Sequence, residues 1–206
     1  MLTLSQLLDR HQTLLCVDAA SERVFAGLLT NDEPARWSVR QEGAGTGLFR
    51  ALEALEVRPG SAGAFLFCDG PGSILGIRTA AMALRTWQVE TPRPAYAYAS
   101  LALAGGSCPS VTLITDARRG LWHARIPGRG LVRVPAQELA GPLATPEGFK
   151  SWAELPEGVA TVPYDLPALF AQFPTLPLFR EAAEPDAFLH EEPSYATWTP
   201  QVHRSP

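Results

Sequence analysis

The chain has 206 residues, of which 46% are hydrophobic and 18% are charged, and its formal net charge is −4. This composition is typical of a globular protein with one large domain or two small lobes, and it argues against nucleic-acid binding through many phosphate contacts. The sequence contains no apolar run long enough for a membrane-spanning helix and no recognisable signal peptide. Its three cysteines form no C-x-x-C pair, so we expect a reduced, cytoplasmic protein.

The N-terminal half combines short apolar runs with amphipathic segments. Leucines in the first twelve residues predict a short helix, and the apolar stretches that follow are typical of an antiparallel meander. We predict strands at residues 13–18, 23–30, 35–41 and 64–69, then a strand "AYAY" and an apolar segment that ends near Gly106. Apolar residues at helical spacing predict a helix over residues 47–57 and another helix after the strand at 64–69.

The C-terminal half begins on the same plan. Aligning Asp18 with Asp116 sets "LLCVDAASERVFAGL" against "TLITDARRGLWHARI", so that Ala26 falls opposite Ala124. The alignment is short, but its position predicts two similar lobes, residues 1–106 and 107–206. Prolines divide the remainder, where we predict a helix at 145–155, a strand at 158–162, a helix at 165–173 and an irregular surface tail beyond Glu184.

A glycine-rich turn joins the strand at 64–69 to the following helix. A turn of this kind before a helix can bind phosphate, because free N–H groups and the helix dipole point the same way. However, it lacks the lysine of a P-loop, and its last glycine has the wrong spacing for G-x-G-x-x-G. Ser73 also lacks the flanking glycines of a nucleophile elbow. We therefore favour a tight turn in which Gly70 and Gly72 permit the bend and Ser73 caps the helix.

Three aspartates, Asp18, Asp69 and Asp116, each end an apolar strand. If the strands end in one cleft, such acids can gather around a metal–nucleotide complex. The alternative is that each aspartate caps the turn that follows it. The four histidines share no metal-binding spacing, so no metal site is predicted.

Two further arrangements carry less weight. Arg118 and Arg119 could bind an anion or a partner's acid, although a solvated turn is favoured on composition. Ser73, Asp116 and His190 can be written as a catalytic triad in a known chain order, but any protein of this size offers such combinations.

Several of these segments resemble the TsaB (YeaZ) family of bacterial tRNA threonylcarbamoyladenosine synthesis. "GPGSILGIR" keeps six positions of the family's GPGSFTGLR-like motif: Gly70, Pro71, Gly72, Ser73, Gly76 and Arg78. "DARRGLWHA" is similar to the DARRGEVY-like turn and keeps Asp116, Ala117, Arg118, Arg119 and Gly120. "YASLALAG" at 98–105 and "EEPSYATW" at 191–198 look like two more family elements in the same order, so the resemblance covers most of residues 13–198.

Departures from the family pattern indicate a divergent member. The family's opening Asp-Thr-Ser becomes Asp-Ala-Ala-Ser at 18–21, and the family's histidine is missing near residues 43–49. Ile74 and Leu75 replace a phenylalanine and a threonine, and Tyr195 is followed by Ala-Thr instead of Leu-Arg.

The resemblance implies an α/β, actin-like (ASKHA, ribonuclease-H-like) fold with two lobes and mixed sheets flanked by helices. It also implies a non-catalytic scaffold or activator that pairs with a TsaD-type paralogue, with a TsaE-type ATPase as a further partner. Nucleotide and metal would belong to those partners, this chain would carry no cofactor, and tRNA would be reached only through the complex. A homodimer formed through the same helices is also possible.

By resemblance, the partner interface lies on the helices at 47–55 and 73–87. The candidate interface residues are Leu48, Leu52, Ile74, Ile77, Arg78, Ala81 and Leu84. Their apolar faces could serve the lobe's own core, a partner, or both. Two alternatives stay open: a serine hydrolase or glycoprotease-like enzyme using Ser73, and a homodimeric interaction protein with another partner.

Overall fold

Two mixed β-sheets form the framework of the protein, which a computed structural model describes over residues 1–188. The strands are β1 Thr13–Asp18, β2 Val24–Thr30, β3 Arg36–Arg40, β4 Ala64–Gly70, β5 Ala95–Ala99, β6 Thr112–Asp116, β7 Leu121–Ile126, β8 Gly130–Pro135, β9 Leu143–Pro146, β10 Ala160–Val162 and β11 Arg180–Glu181. The helices are α1 Leu4–His11, α2 Ala44–Leu55, α3 Ile74–Glu90, α4 Ser100–Ala104 and α5 Leu166–Gln172, with short 3₁₀ turns at Pro59–Ser61 and Ala136–Glu138.

Five strands of the first sheet repeat the topology of the second sheet, and the first sheet has β11 in addition. The strand orders of the two sheets are β11-β5-β4-β1-β2-β3 and β10-β9-β6-β7-β8. In each sheet an antiparallel three-strand meander is followed by two strands that add in parallel on the other side of the first strand. This repetition confirms the mixed-sheet, two-lobed α/β architecture expected from the sequence. The Asp18–Asp116 alignment agrees with the two meanders to within one residue. Asp18 pairs with Phe25, seven residues later, and Asp116 pairs with Trp122, six residues later.

The two lobes differ in the connections between their parallel strands. In the first lobe α2 lies between β3 and β4, and α3 lies between β4 and β5. In the second lobe the corresponding connections contain one 3₁₀ turn and loops. Long crossover helices therefore cover the first sheet, whereas the second sheet has none between its parallel strands.

The C-terminal third departs most from the expectations. The predicted helix at 145–155 is wrong, because its first residues belong to β9, which pairs with β6, and Gly148 then adopts a φ of +79°. A helix does not pass through that left-handed conformation. The sequence also failed to indicate β8, β9 and β11 as strands.

Near its C-terminal end the described chain returns to the first lobe. Strand β11 pairs with β5, with Arg180 opposite Ala97. Helix α5, which precedes β11, also packs on the first lobe: the centroids of the Phe170 and Tyr98 rings are 5.6 Å apart. Residues of α5 and β11 therefore lie with the N-terminal lobe, whereas a simple division at residue 106 assigns them to the second.

Apolar side chains fill both faces of the first sheet. Leu14 and Leu66 point into a core shared with α1, α4, α5 and the second lobe, whereas Leu15 and Phe65 face the layer formed by α2 and α3. Burial on both faces explains why these strands are almost continuously apolar. Within residues 1–188, we found no helix long and apolar enough to span a membrane.

Candidate functional site

The glycine-rich turn between β4 and α3 packs against the turn that follows β1. The Ser73 backbone N–H donates to the Ala20 carbonyl at 2.7 Å, and the Ser73 hydroxyl accepts from the Gly76 N–H at 3.3 Å. A Cβ atom on Gly72 or Gly76 would overlap the backbone carbonyl of Ala20 or Ala19. The positive φ values of Gly70 (+125°) and Gly72 (+154°) and the cap made by Ser73 agree with the tight-turn interpretation. Close packing against Ala19 accounts for Gly76, which that interpretation did not cover.

Asp18 is fully buried and accepts three hydrogen bonds. The hydroxyls of Tyr98 and Tyr164 donate to Oδ2 at 2.6 and 2.8 Å, and the Ala20 N–H donates to Oδ1 at 2.8 Å. Burial raises the pKa of Asp18 from its ordinary value, although these bonds favour the ionised form. The two tyrosines cover the carboxylate, and the sequence analysis did not identify them. A tyrosine within a short apolar strand, as in "AYAY", was the signal that could have found Tyr98.

Two buried cysteines lie beside this carboxylate. Cys16 and Cys68 are both free thiols in the sheet core. Burial, together with the nearby Asp18, raises the pKa of each thiol well above its ordinary value. Protonated, buried thiols are poor nucleophiles and metal ligands, so both residues serve packing.

The other two strand-end aspartates have their own partners. Asp69 is almost fully buried and pairs with the Arg180 guanidinium. Asp116 accepts backbone N–H bonds from Arg118 at 2.6 Å, Trp152 at 2.6 Å and Ala153 at 3.1 Å. Partial burial acts to raise the pKa of Asp116, but these bonds and the Arg118 charge outweigh it and hold the pKa below its ordinary value.

The three aspartates therefore do not converge on one ligand. Each carboxylate is held by a separate set of partners, and residues 1–188 contain no group of three histidine, cysteine or acidic side chains placed to hold a metal ion. The turn-capping alternative is correct for Asp18 and Asp116, because each accepts a backbone N–H from the residue two positions later. For Asp69 the structure shows an ion pair instead.

The Asp116–Gly120 turn has an unusual backbone. Arg118, Arg119 and Gly120 adopt successive φ values of +66°, +55° and +74°, a region that non-glycine residues seldom occupy. Both arginines are exposed, and the Arg118 guanidinium lies 4.3 Å from the centroid of the Trp152 ring, which is 72% exposed. The solvated turn favoured from composition therefore describes both side chains, and Arg118 adds a stacking contact at the surface.

Ser73 has the geometry of a helix cap. Its hydroxyl accepts the Gly76 N–H, and the second member of the triad considered in the sequence, Asp116, is bound by three backbone N–H groups. The third member, His190, lies outside the described residues, as does the family-like segment at 191–198.

Helices α2 and α3 pack side by side and bury most of the candidate interface residues within the lobe itself. The buried members are Leu48, Leu52, Ile77, Ala81 and Leu84. Of the remaining two, Ile74 is 45% exposed and Arg78 is also exposed. An apolar stripe at helical spacing identifies the face that a helix turns to its own sheet, so the five buried residues contribute to the lobe core.

A shallow groove of about 410 Å³ lies on the outer side of these two helices. It is lined by Leu48, Phe49, Arg78, Thr79, Met82, Ala83 and Thr86. Phe49 and Met82 are 60% and 57% exposed, and Leu75 at the start of α3 is 78% exposed. These apolar side chains lie on the polar sides of amphipathic helices, which is why a search for periodic apolar faces missed them.

Comparison with known proteins shows the fold. No family model and no curated protein matches the sequence. Among solved structures, YeaZ from Pseudomonas aeruginosa matches with a TM-score of 0.56 at 20% sequence identity, over 78% of this chain and 89% of YeaZ. An uncharacterized protein described as similar to peptidase YEAZ from Pseudomonas aeruginosa matches with a TM-score of 0.54 at 19% identity, over 78% of this chain and 90% of its own.

Proposed function

From the YeaZ fold and the two family-like motifs, we propose a non-catalytic, TsaB-like subunit that pairs with a TsaD-type paralogue. The pair would act in the cytoplasm in making N6-threonylcarbamoyladenosine at position 37 of tRNA, with a TsaE-type ATPase as a further partner. Nucleotide and metal belong to those partners in this proposal, and tRNA is bound only through the complex.

The exposed groove between α2 and α3 carries the proposal. A contiguous apolar patch on the surface of a folded protein is typical of a binding site for another molecule. Met82 presents flexible apolar surface and Phe49 presents aromatic surface. The exposed Arg78 lies beside them, and its Nε is 4.0 Å from Asp186 Oδ1. We therefore expect the partner to offer an apolar helix face with an acidic residue placed opposite Arg78.

The occupied aspartates support the non-catalytic part. A nucleotide site of the actin-like kind needs strand-end acids that are free to reach a metal ion. Asp18 is covered by two tyrosines, Asp69 pairs with Arg180, and Asp116 is bound by backbone N–H groups. Turnover by this chain would first require these contacts to break.

Substitution of Met82 tests the groove. Met82→Asp places a charge in an apolar contact and should weaken binding to the cognate TsaD-type protein at least tenfold, which is about 1.4 kcal/mol. Leu155→Asp is the matched control, because it adds the same charge to a 40% exposed leucine of the second lobe. Affinities come from calorimetric titration, with circular dichroism to verify folding. Unchanged binding by a folded Met82→Asp protein would exclude the groove, and wild-type self-association without TsaD binding would favour a homodimer with another role.

Modified tRNA tests the pathway. Depleting the protein in its host should lower threonylcarbamoyladenosine, measured by mass spectrometry of tRNA hydrolysates. Re-expression of the wild type or Leu155→Asp should restore the level, and Met82→Asp should not. An unchanged level after depletion would refute the role in tRNA modification. Labelling of Ser73 by a serine-directed phosphonate, or robust ATP hydrolysis by the isolated chain, would refute the non-catalytic assignment.

A further inference from the structure

A second cavity, of about 520 Å³, lies between the two lobes. Ala99, Ala102 and Arg180 line it from the first lobe, and Arg125 and Leu131 line it from the second. It shares no lining residue with the groove between α2 and α3. Its volume lies within the range of small-molecule binding pockets.

The walls of this inter-lobe pocket are mostly apolar. Ala102, Leu131, Phe173, Leu178 and Phe188 supply much of the lining. Within the described part of the chain, the charged side chains that reach it are Asp69, Arg125 and Arg180. An apolar cavity with a few fixed polar groups is the usual composition of a ligand site.

The charges in the pocket leave one arginine without a carboxylate. Asp69 and Arg180 form an ion pair and neutralise each other. Arg125 donates from Nη1 to the Pro109 carbonyl at 3.0 Å, and over residues 1–188 no acidic side chain lies within ion-pair distance of it. A guanidinium has five N–H donors, so most of those on Arg125 are available to a ligand.

The packing around Arg125 holds it in place. A Cβ atom on Gly105, at the end of α4, would lie 2.7 Å from Arg125 Nε. The missing side chain therefore lets the guanidinium pack against the end of that helix. Together with the bond to the Pro109 carbonyl, this contact fixes the cation at the pocket wall before any ligand binds.

From this geometry we propose that the inter-lobe pocket binds a small molecule with an apolar body and one anionic group, which pairs with Arg125. A carboxylate or sulfonate matches the planar guanidinium through two parallel hydrogen bonds. The apolar body fills the space between α4 and Leu131. Because the lining comes from both lobes, the bound ligand stabilises their relative arrangement. The assignment is independent of the proposed pairing function, since the two surfaces share no residue.

A matched pair of fluorescent probes tests the proposal. 1-Anilinonaphthalene-8-sulfonate has an aromatic body and one negative charge, and N-phenyl-1-naphthylamine has the same body without the charge. The full-length folded protein should bind the sulfonate at one site, and decanoate should displace it more strongly than decan-1-ol. Arg125→Gln should lower affinity for the sulfonate at least tenfold and leave affinity for the neutral probe within about twofold, because only the ion pair is lost.

Two further variants locate the probe. Ala102→Phe fills the pocket and should abolish binding of both probes, whereas Met82→Asp alters the helix groove and should leave both unchanged. Sulfonate binding that survives in a folded Ala102→Phe protein, or is lost in Met82→Asp, would overturn the proposal by placing the probe elsewhere. If Ala102→Phe does not fold, Arg125→Gln decides: equal sulfonate affinity in that variant and the wild type refutes recognition of the anion by Arg125.

Discussion

Removing one hydroxyl from the buried Asp18 cluster should destabilise the protein markedly. In Tyr98→Phe the carboxylate loses a 2.6 Å hydrogen bond at a site with no access to solvent. Bonds to charged groups contribute about 1.5–3 kcal/mol each, so the free energy of unfolding should fall by this amount at neutral pH. For a chain of this size the unfolding temperature should drop by about 3–12 °C.

A tyrosine two residues away on the same strand provides the control. Tyr96 donates or accepts a 2.9 Å hydrogen bond with His11 Nε2, at a partly buried site. Tyr96→Phe removes the same atom from the same strand but leaves no buried carboxylate short of a donor. Tyr96→Phe should lower the free energy of unfolding by about 1 kcal/mol. Urea unfolding monitored by circular dichroism gives both values, provided that the m-values agree.

The pH dependence gives a second signature of the Asp18 contact. Burial raises the pKa of Asp18, so between the unfolded and folded pKa values the folded state binds more protons, and stability falls as pH rises. Tyr98→Phe removes a bond that favours the ionised form and should raise this pKa further. Its destabilisation should therefore be larger at neutral than at acidic pH. A cost that equals that of Tyr96→Phe, or that does not change with pH, would refute this account of Asp18.

Two other substitutions test the turns. Gly76→Ala should lower the free energy of unfolding, measured in urea, by about 1–3 kcal/mol, because the new methyl group overlaps the Ala19 carbonyl. Gly45→Ala is the control and should be neutral or slightly stabilising, because a Cβ there meets no atom within 4 Å. Equal effects of the two substitutions would contradict the close packing. Asp116 has a lowered pKa in the folded protein, so the stability it contributes is present above its unfolded pKa and is lost as pH falls through the folded value. Asp116→Asn should therefore lower the urea midpoint at neutral pH, and its midpoint should converge with that of the wild type in acid; parallel curves would refute the role of the charge.

The sequence predicted the longer apolar strands well and the short strands poorly. Strand β1 was predicted with its observed ends, and β4 differs by one residue, because a buried parallel strand is a continuous apolar run between turn residues. Strands β9 and β11 have four and two residues, too few to show a period. Their pairing with distant strands determines their structure, and local sequence does not contain that information.

At the candidate site too, features that depend on neighbouring residues were predicted, and features that depend on distant residues were not. Ser73 was correctly identified as a helix cap, because capping depends on residues within one turn. The grouping of Asp18, Asp69 and Asp116 depended on partners far along the chain, such as Tyr164 and Arg180, which no spacing indicated. The helix periodicity located the lobe core correctly, while the exposed Phe49 and Met82 required the fold itself to be seen.

The return of the chain to the first sheet makes the second lobe a nested insertion. The inserted segment leaves the first lobe after α4 and rejoins it at α5, so both of its ends are tethered to the same body. A protease that cuts the loop between β9 and β10 would therefore produce two fragments that stay associated through β10 in one sheet and β11 in the other. The nicked protein would migrate as one species until denatured, as split proteins do when complementary fragments hold together without a continuous backbone.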